Sequence, residues 1–147
     1  MAIVDAKYKF TTVEIGAPGR NGDSGVWLRS PLKKLINSTQ YFPFEKKNLP
    51  SSQLQGNHFI AADEAFGLSW NLLTPYPGRN KGHLPPLDNL FNYRLSRGRR
   101  VVENAFGIAA ARWRIWRKPI DCEVDLARKI TKAIVVLHNF CMDEVSR

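Results

Sequence analysis

Residues 91–118 read FNYRLSRGRRVVENAFGIAAARWRIWRK. Phe91, Leu95, Val102, Phe106, Ala109, Trp113 and Trp116 recur at steps of three, four or seven. That spacing predicts one helix over 87–118 whose apolar stripe buries against a sheet, with Pro119 ending it. Gly98 and Gly107 each weaken such a helix by about 1 kcal/mol relative to Ala. Either a bare backbone is needed at those points or the helix breaks there. Eight basic residues lie in this window: Arg94, Arg97, Arg99, Arg100, Arg112, Arg114, Arg117 and Lys118. Only Glu103 opposes them, so the window carries +7 of the chain's formal +9. Clustered cations release counterions from a phosphate backbone, and arginine forks onto phosphate oxygens. A polyanion is one natural partner; a solvated basic helix face accounts for the same charges.

Outward from this helix, the pattern is mixed α/β. A second helix is expected over 124–142, with Leu126, Ile130, Ile134, Leu137 and Cys141 inward. His58 to Ala62 is a short apolar run that reads as a buried strand, with Asp63 at its C-terminal end. At the start, Ile3-Val4 and Tyr8 to Ile15 read as two arms of a hairpin joined through Asp5-Ala6-Lys7, the first arm cut short. Two strands alone are marginal, so further strands should flank them. The loop Gly16 to Gly22 precedes a helix but does not match the glycine spacing of a phosphate loop. Asp23 or Ser24 is the expected N-cap of a helix reaching Ile36, broken or restarted at Pro31. In the turn-rich stretch that follows, Tyr41, Phe42 and Phe44 are expected to pack over the core.

At 147 residues, 44% hydrophobic and 24% charged, the chain suits one globular domain. No apolar run approaches the roughly 18 residues of a membrane span, and the first ten residues lack the apolar stretch of a signal peptide. An intracellular protein without a membrane partner is therefore expected. Cys122 and Cys141, 19 positions apart, fit neither a disulfide framework nor zinc spacing and read as buried free thiols. His138 reads as a satisfied structural histidine, and Trp113 and Trp116 as core rather than base-stacking residues.

Two acids stand out by context. Asp63 closes a strand, and Glu103 sits amid the arginines with Arg99, Arg100 and Gly107 one turn away. One reading is that Glu103 pairs with an arginine and Asp63 caps a turn. The other is a two-metal phosphodiester-cleaving site, in which carboxylate oxygens hold paired Mg²⁺ or Mn²⁺ and the arginines hold DNA.

Further blocks favour the second reading. Gly16-Ala17-Pro18-Gly19-Arg20 with Asp23-Ser24 and Ser30 resembles the glycine-rich loop and first helix of the DDE superfamily-4 endonuclease domain. Ala62-Asp63-Glu64-Ala65-Phe66 with Leu72-Leu73-Thr74-Pro75-Tyr76 is similar to its second acidic motif. Phe91-Asn92, Arg97, Val102-Glu103-Asn104-Ala105-Phe106-Gly107 and Arg112-Trp113-Arg114 resemble its third, and Leu137-His138-Asn139-Phe140 its last helix. These blocks stand in the family's order along nearly the whole chain. The family is that of PIF/Harbinger-type transposases and nucleases derived from them.

The resemblance implies an RNase H-like α/β fold, a mixed central sheet flanked by helices, here a single partial domain over 1–147 without its first strand. It implies a divalent-metal-dependent DNA nuclease with Asp63 and Glu103 as second and third acids of a DDE triad. Arg97, Arg99, Arg100, Arg112 and Arg114 would contact DNA, a Myb-like DNA-binding protein would be a partner, and residence would be nuclear, possibly also cytoplasmic. The family's first acid lies on a strand before the segment present here, and Asp5 falls at a different place. The chain as written is thus expected to be an incompetent nuclease, with a non-catalytic DNA- or protein-binding remnant as the alternative.

Overall fold

A computed structural model describes residues 1–18, 20–38, 46–78 and 84–145. Tyr41, Phe42 and Phe44 lie outside them. The chain forms two compact units, one of Met1–Pro18 with Arg99–Arg147 and one of Gly19–Gly98. Among the described residues no helix is long and apolar enough to cross a membrane.

In the first unit, β1 (Ala2–Val4) and β2 (Phe10–Val13) form the expected antiparallel hairpin, Ala2 opposite Val13. The register shifts between Ile3 and Val4, a bulge that brings Val4 opposite Phe10. Asp5 organises the turn: its Oδ1 accepts hydrogen bonds from the amides of Lys7 (2.8 Å) and Lys9 (2.9 Å). Tyr8 takes a left-handed backbone, φ 64°, which side chains other than glycine adopt reluctantly.

Helix α4 (Val124–Val145) holds this turn in place. The His138 ring, fully buried, lies 2.7 Å through Nε2 from the Tyr8 carbonyl. A carbonyl only accepts, so Nε2 carries the proton. Nδ1 is buried with no hydrogen-bond partner among the described residues. The expected satisfied histidine is thus satisfied at one nitrogen only. Asn139 grips the Phe10 backbone from both sides, accepting from its amide and donating to its carbonyl, both at 2.8 Å. Lys9 meets Asp143 at 2.7 Å. That hydrogen bond holds the ammonium above the usual lysine range, against a smaller opposing effect of desolvation.

The core of the unit is Phe10, Ala105, Ala109, Ile134 and Val135, flanked by Trp113, Trp116 and Ile130. The inward face of α4 is Ile134, Val135, His138 and Met142. Leu126 and Leu137, expected inside, are 50% and 47% exposed. Ile130 and Ile134 face the core as expected, while toward the C-terminal end His138 rather than Leu137 turns inward, bonding the turn before β2. Cys141 is half-buried and Cys122 exposed, so Cys122 is not the buried thiol expected.

Helix α3 (Pro86–Arg112) runs through the boundary between the units. It ends six residues before the expected Lys118. Trp113 leaves helical geometry at φ −105°, ψ 88°, and a 3₁₀ turn over Arg114–Arg117 follows. In that tighter spiral, residues three apart share a side. Trp113 and Trp116 both pack on the core as a result, as their spacing suggested. Arg117 Nε donates to the Ala110 carbonyl at 3.1 Å, satisfying one acceptor orphaned by the helix end. The contact seam of α3 is the small pair Ala105 and Ala109, both fully buried, while Phe106 of the expected stripe is 41% exposed. Phe106 still touches Phe10 edge to face at 5.1 Å. Neither glycine interrupts the helix, and a methyl added at Gly98 or Gly107 would meet nothing within 4 Å.

The second unit opens with α1 (Asp23–Arg29) and α2 (Pro31–Ile36). Gly22 occupies the cap position of α1 without a side-chain bond, so Asp23 is not the cap expected. It lies in the first turn, where a carboxylate complements the helix dipole. Ser30 ends α1 and starts α2, its Oγ accepting from Leu32 N at 2.9 Å, with Pro31 at the position that needs no amide proton. The restart expected at Pro31 is what the chain does. Strands β3 (Lys47–Asn48) and β4 (Gln55–Gly56) pair antiparallel; β5 (Ile60–Ala61) and β6 (Leu72–Leu73) pair parallel.

The class is mixed α/β, with the strands of the described residues in three two-stranded sheets. β5 is shorter and wetter than the apolar run 58–62 suggested: His58 and Phe59 are exposed and Ile60 and Ala61 half-buried. Pairing on one edge by two residues of β6 gives it no second face to fill.

Candidate active site

Asp63 follows directly from β5. Its backbone is extended at φ −78°, ψ 162°, and its Oδ1 accepts from Glu64 N at 2.6 Å, capping the 3₁₀ turn Glu64–Phe66. The turn is pressed onto α1 by an edge-to-face contact of Phe66 with the buried Trp27, centroids 5.6 Å apart. The pairing of β5 with β6 fixes the other side: Ala62 N donates to Leu73 O at 2.8 Å, next to Asp63 itself. The capping reading of Asp63 is therefore correct as local structure. It leaves a half-buried carboxylate at the mouth of a short parallel pair.

One residue quoted above without a role holds the segment beyond β6. Asn92, buried on α3, accepts from Tyr76 N at 2.8 Å and donates to Tyr76 O at 3.1 Å. Tyr76 and Phe91 meet edge to face at 5.3 Å. Asn139 in the other unit makes the same two-way grip on Phe10. The signal was present in the sequence: asparagine is a poor helix former, so one inside a helix at core spacing asks for a backbone partner.

Glu103 is exposed on α3. No bond from Glu103 to an arginine is seen among the described residues, whose ion pairs include Lys9–Asp143 and Arg128–Asp125. Arg99 and Arg100, one turn before Glu103, are half-buried and exposed respectively. Arg112 stacks over the Trp113 ring at 5.8 Å, and Arg97 over Tyr93 at 5.9 Å. Arg114 is exposed in the 3₁₀ turn. Two of the five arginines are thus oriented by aromatic faces rather than by carboxylates, which leaves their charge uncompensated. Asp63 belongs to the unit Gly19–Gly98 and Glu103 to the other.

Both acids offer hard oxygen donors, the chemistry that Mg²⁺ and Mn²⁺ select. Among the described residues no three His, Cys, Asp or Glu side chains gather into a metal-holding group. Asp5 is engaged otherwise, with one carboxylate oxygen taking two amides of its own turn.

No curated protein and no solved structure matches the chain. A model of the DDE superfamily endonuclease family matches residues 1–139, a stretch that includes Asp63, Glu103 and the five arginines. The chain belongs to the DDE superfamily endonucleases.

Proposed function

We propose that this chain is the catalytic core of a PIF/Harbinger-type transposase nuclease, with an RNase H-like fold whose single domain comprises both units. The observation that carries the reading is Glu103, an exposed carboxylate among eight cations that pairs with none of them among the described residues. A residue kept to neutralise arginine would be bonded to one. Asp63 and Glu103 are the second and third acids, and together they would hold divalent metal. When bound, the metal would supply an activated water and charge relief at the leaving oxygen. The chain's own residues do the rest: Arg97, Arg99, Arg100, Arg112 and Arg114 grip phosphates, and Gly107, one turn past Glu103, leaves the helix surface open beside it.

The Asp5 carboxylate is given over through Oδ1 to two amides of its own turn, and we do not assign it to the metal site. Manganese binding followed by electron paramagnetic resonance tests the site directly. Asp63→Asn and Glu103→Gln should each weaken binding at least about 10-fold, the lower range for disturbing even outer partners of a metal site. Unchanged affinity in both variants would sink the reading, and nicking of supercoiled DNA that survives Glu103→Gln would remove that residue from the chemistry. The exposed arginines also support a second reading, a non-catalytic DNA-binding protein, which requires DNA binding that is indifferent to both substitutions and to metal. Nuclear residence and a Myb-like DNA-binding partner belong to the same proposal. Co-precipitation of such a partner from nuclear extract checks both.

A further inference from the structure

Trp70 is 94% exposed, the most exposed large hydrophobic side chain among the described residues. It is not on a loose loop. Ser69 and Leu72 exchange backbone hydrogen bonds in both directions, at 3.1 and 3.2 Å, so Trp70 and Asn71 form the two corners of a closed turn. Asn71 is tied down by its Nδ2, which donates to the Ile36 carbonyl at 2.7 Å. The turn feeds directly into β6, whose partner β5 leads to Asp63. A rigid mount therefore presents an indole to solvent on the sheet that carries an acid of the site.

The neighbouring surface points to what the indole receives. A cavity of about 480 Å³ in the same unit is lined by Trp27, Leu28, Phe66, Leu68 and Ser69, with Lys33 and Glu64 at its wall. Ser69, one of the lining residues, keeps its Oγ buried without a hydrogen-bond partner among the described residues. A largely apolar lining with one cation, Lys33, and one carboxylate, Glu64, suits the flat face and polar edge of a nucleobase. Phe59, at the N-terminal side of β5, adds a second aromatic face, 52% exposed.

We propose that Trp70 is a stacking platform for an unpaired base of a DNA strand, with the cavity beside Ser69 giving room to the adjoining nucleotide. Stacking on an aromatic face tolerates any base and needs no pairing partner, whereas a duplex keeps its bases inside. The site would thus distinguish opened from paired DNA near the cut. The inference rests on the chain acting on DNA, not on its metal chemistry.

Fluorescence anisotropy with labelled oligonucleotides, in the presence of EDTA, separates the two. The full chain and its Trp70→Ala variant are titrated with a single strand, a duplex and a single strand carrying an abasic tract. Trp70→Ala should weaken binding to the intact single strand by roughly 5- to 100-fold, and leave the duplex and the abasic strand unchanged. Trp70→Phe should recover part of the loss. Equal affinity of Trp70→Ala and the parent for the single strand overturns the proposal, including in favour of a protein-docking role. An equal loss on all three ligands overturns it as well, because a merely structural tryptophan would act on each. All three titrations run without divalent metal, so a failed nuclease reading leaves this result intact.

Discussion

At the residue scale, the tightest demand falls on His138. It supplies the donor for a carbonyl held in a left-handed turn, from a position with no access to water. Replacing it by leucine keeps the volume roughly filled and strands that carbonyl. His138→Leu should lose about 1–3 kcal/mol of stability, the cost of an unsatisfied buried acceptor, read as a lower urea midpoint at unchanged slope. Asp63 and Glu103 could be singled out from sequence because an acid that ends an apolar run, or stands alone among arginines, is anomalous within its own neighbourhood. For Asn92 and Asn139 the sequence carries the need for a backbone partner but not which one, since it lies 16 or 129 positions away. Trp70 escaped for a related reason: exposure is a property of the surroundings, and its own turn looks unremarkable as a string of letters.

At the element scale, local chemistry was legible and facing was not. Pro31 restarting a helix, the β1–β2 hairpin and the beginnings of α3 and α4 all follow from residues within a few positions of the event. On α3 the expected stripe is inward at Leu95 and Ala109, but periodicity weights large apolar residues and so included the exposed Phe106 and missed the fully buried Ala105. The short extent of β5 was also hidden, since an apolar run does not say how many partners it will find. The two glycines of α3 give a prediction with opposite signs. Gly98→Ala and Gly107→Ala each add a methyl into open space. Each should raise stability by about 0.5–1 kcal/mol, seen in thermal melts. If Gly107 leaves room for DNA, Gly107→Ala should also reduce DNA affinity, while Gly98→Ala should not. A Gly107→Ala chain that is both more stable and equally tight on DNA would dissociate that glycine from substrate.

At the scale of the whole molecule, the sequence indicated the α/β class and the family to which the chain belongs, because those rest on the order of several blocks at once. How the strands are grouped was beyond it, pairing being a contest among distant edges that one sequence does not rank. The net charge of +9 makes one prediction for the entire chain. DNA binding should fall steeply with salt, and reversing Arg100 and Arg112 to glutamate should flatten that dependence, each phosphate contact contributing a slope of roughly 0.9 on logarithmic axes. A slope untouched by both changes would remove the arginine face from the interface.

The paired grips of Asn92 on Tyr76 and Asn139 on Phe10 have a use beyond holding the chain. Each makes a helix side chain stand in for a neighbouring peptide, so each shields one amide proton from deuterium for as long as its helix survives. One such proton sits in either compact unit. Their exchange clocks, run side by side on the same sample, reveal whether the chain opens in a single cooperative event or lets one unit breathe while the other stays shut.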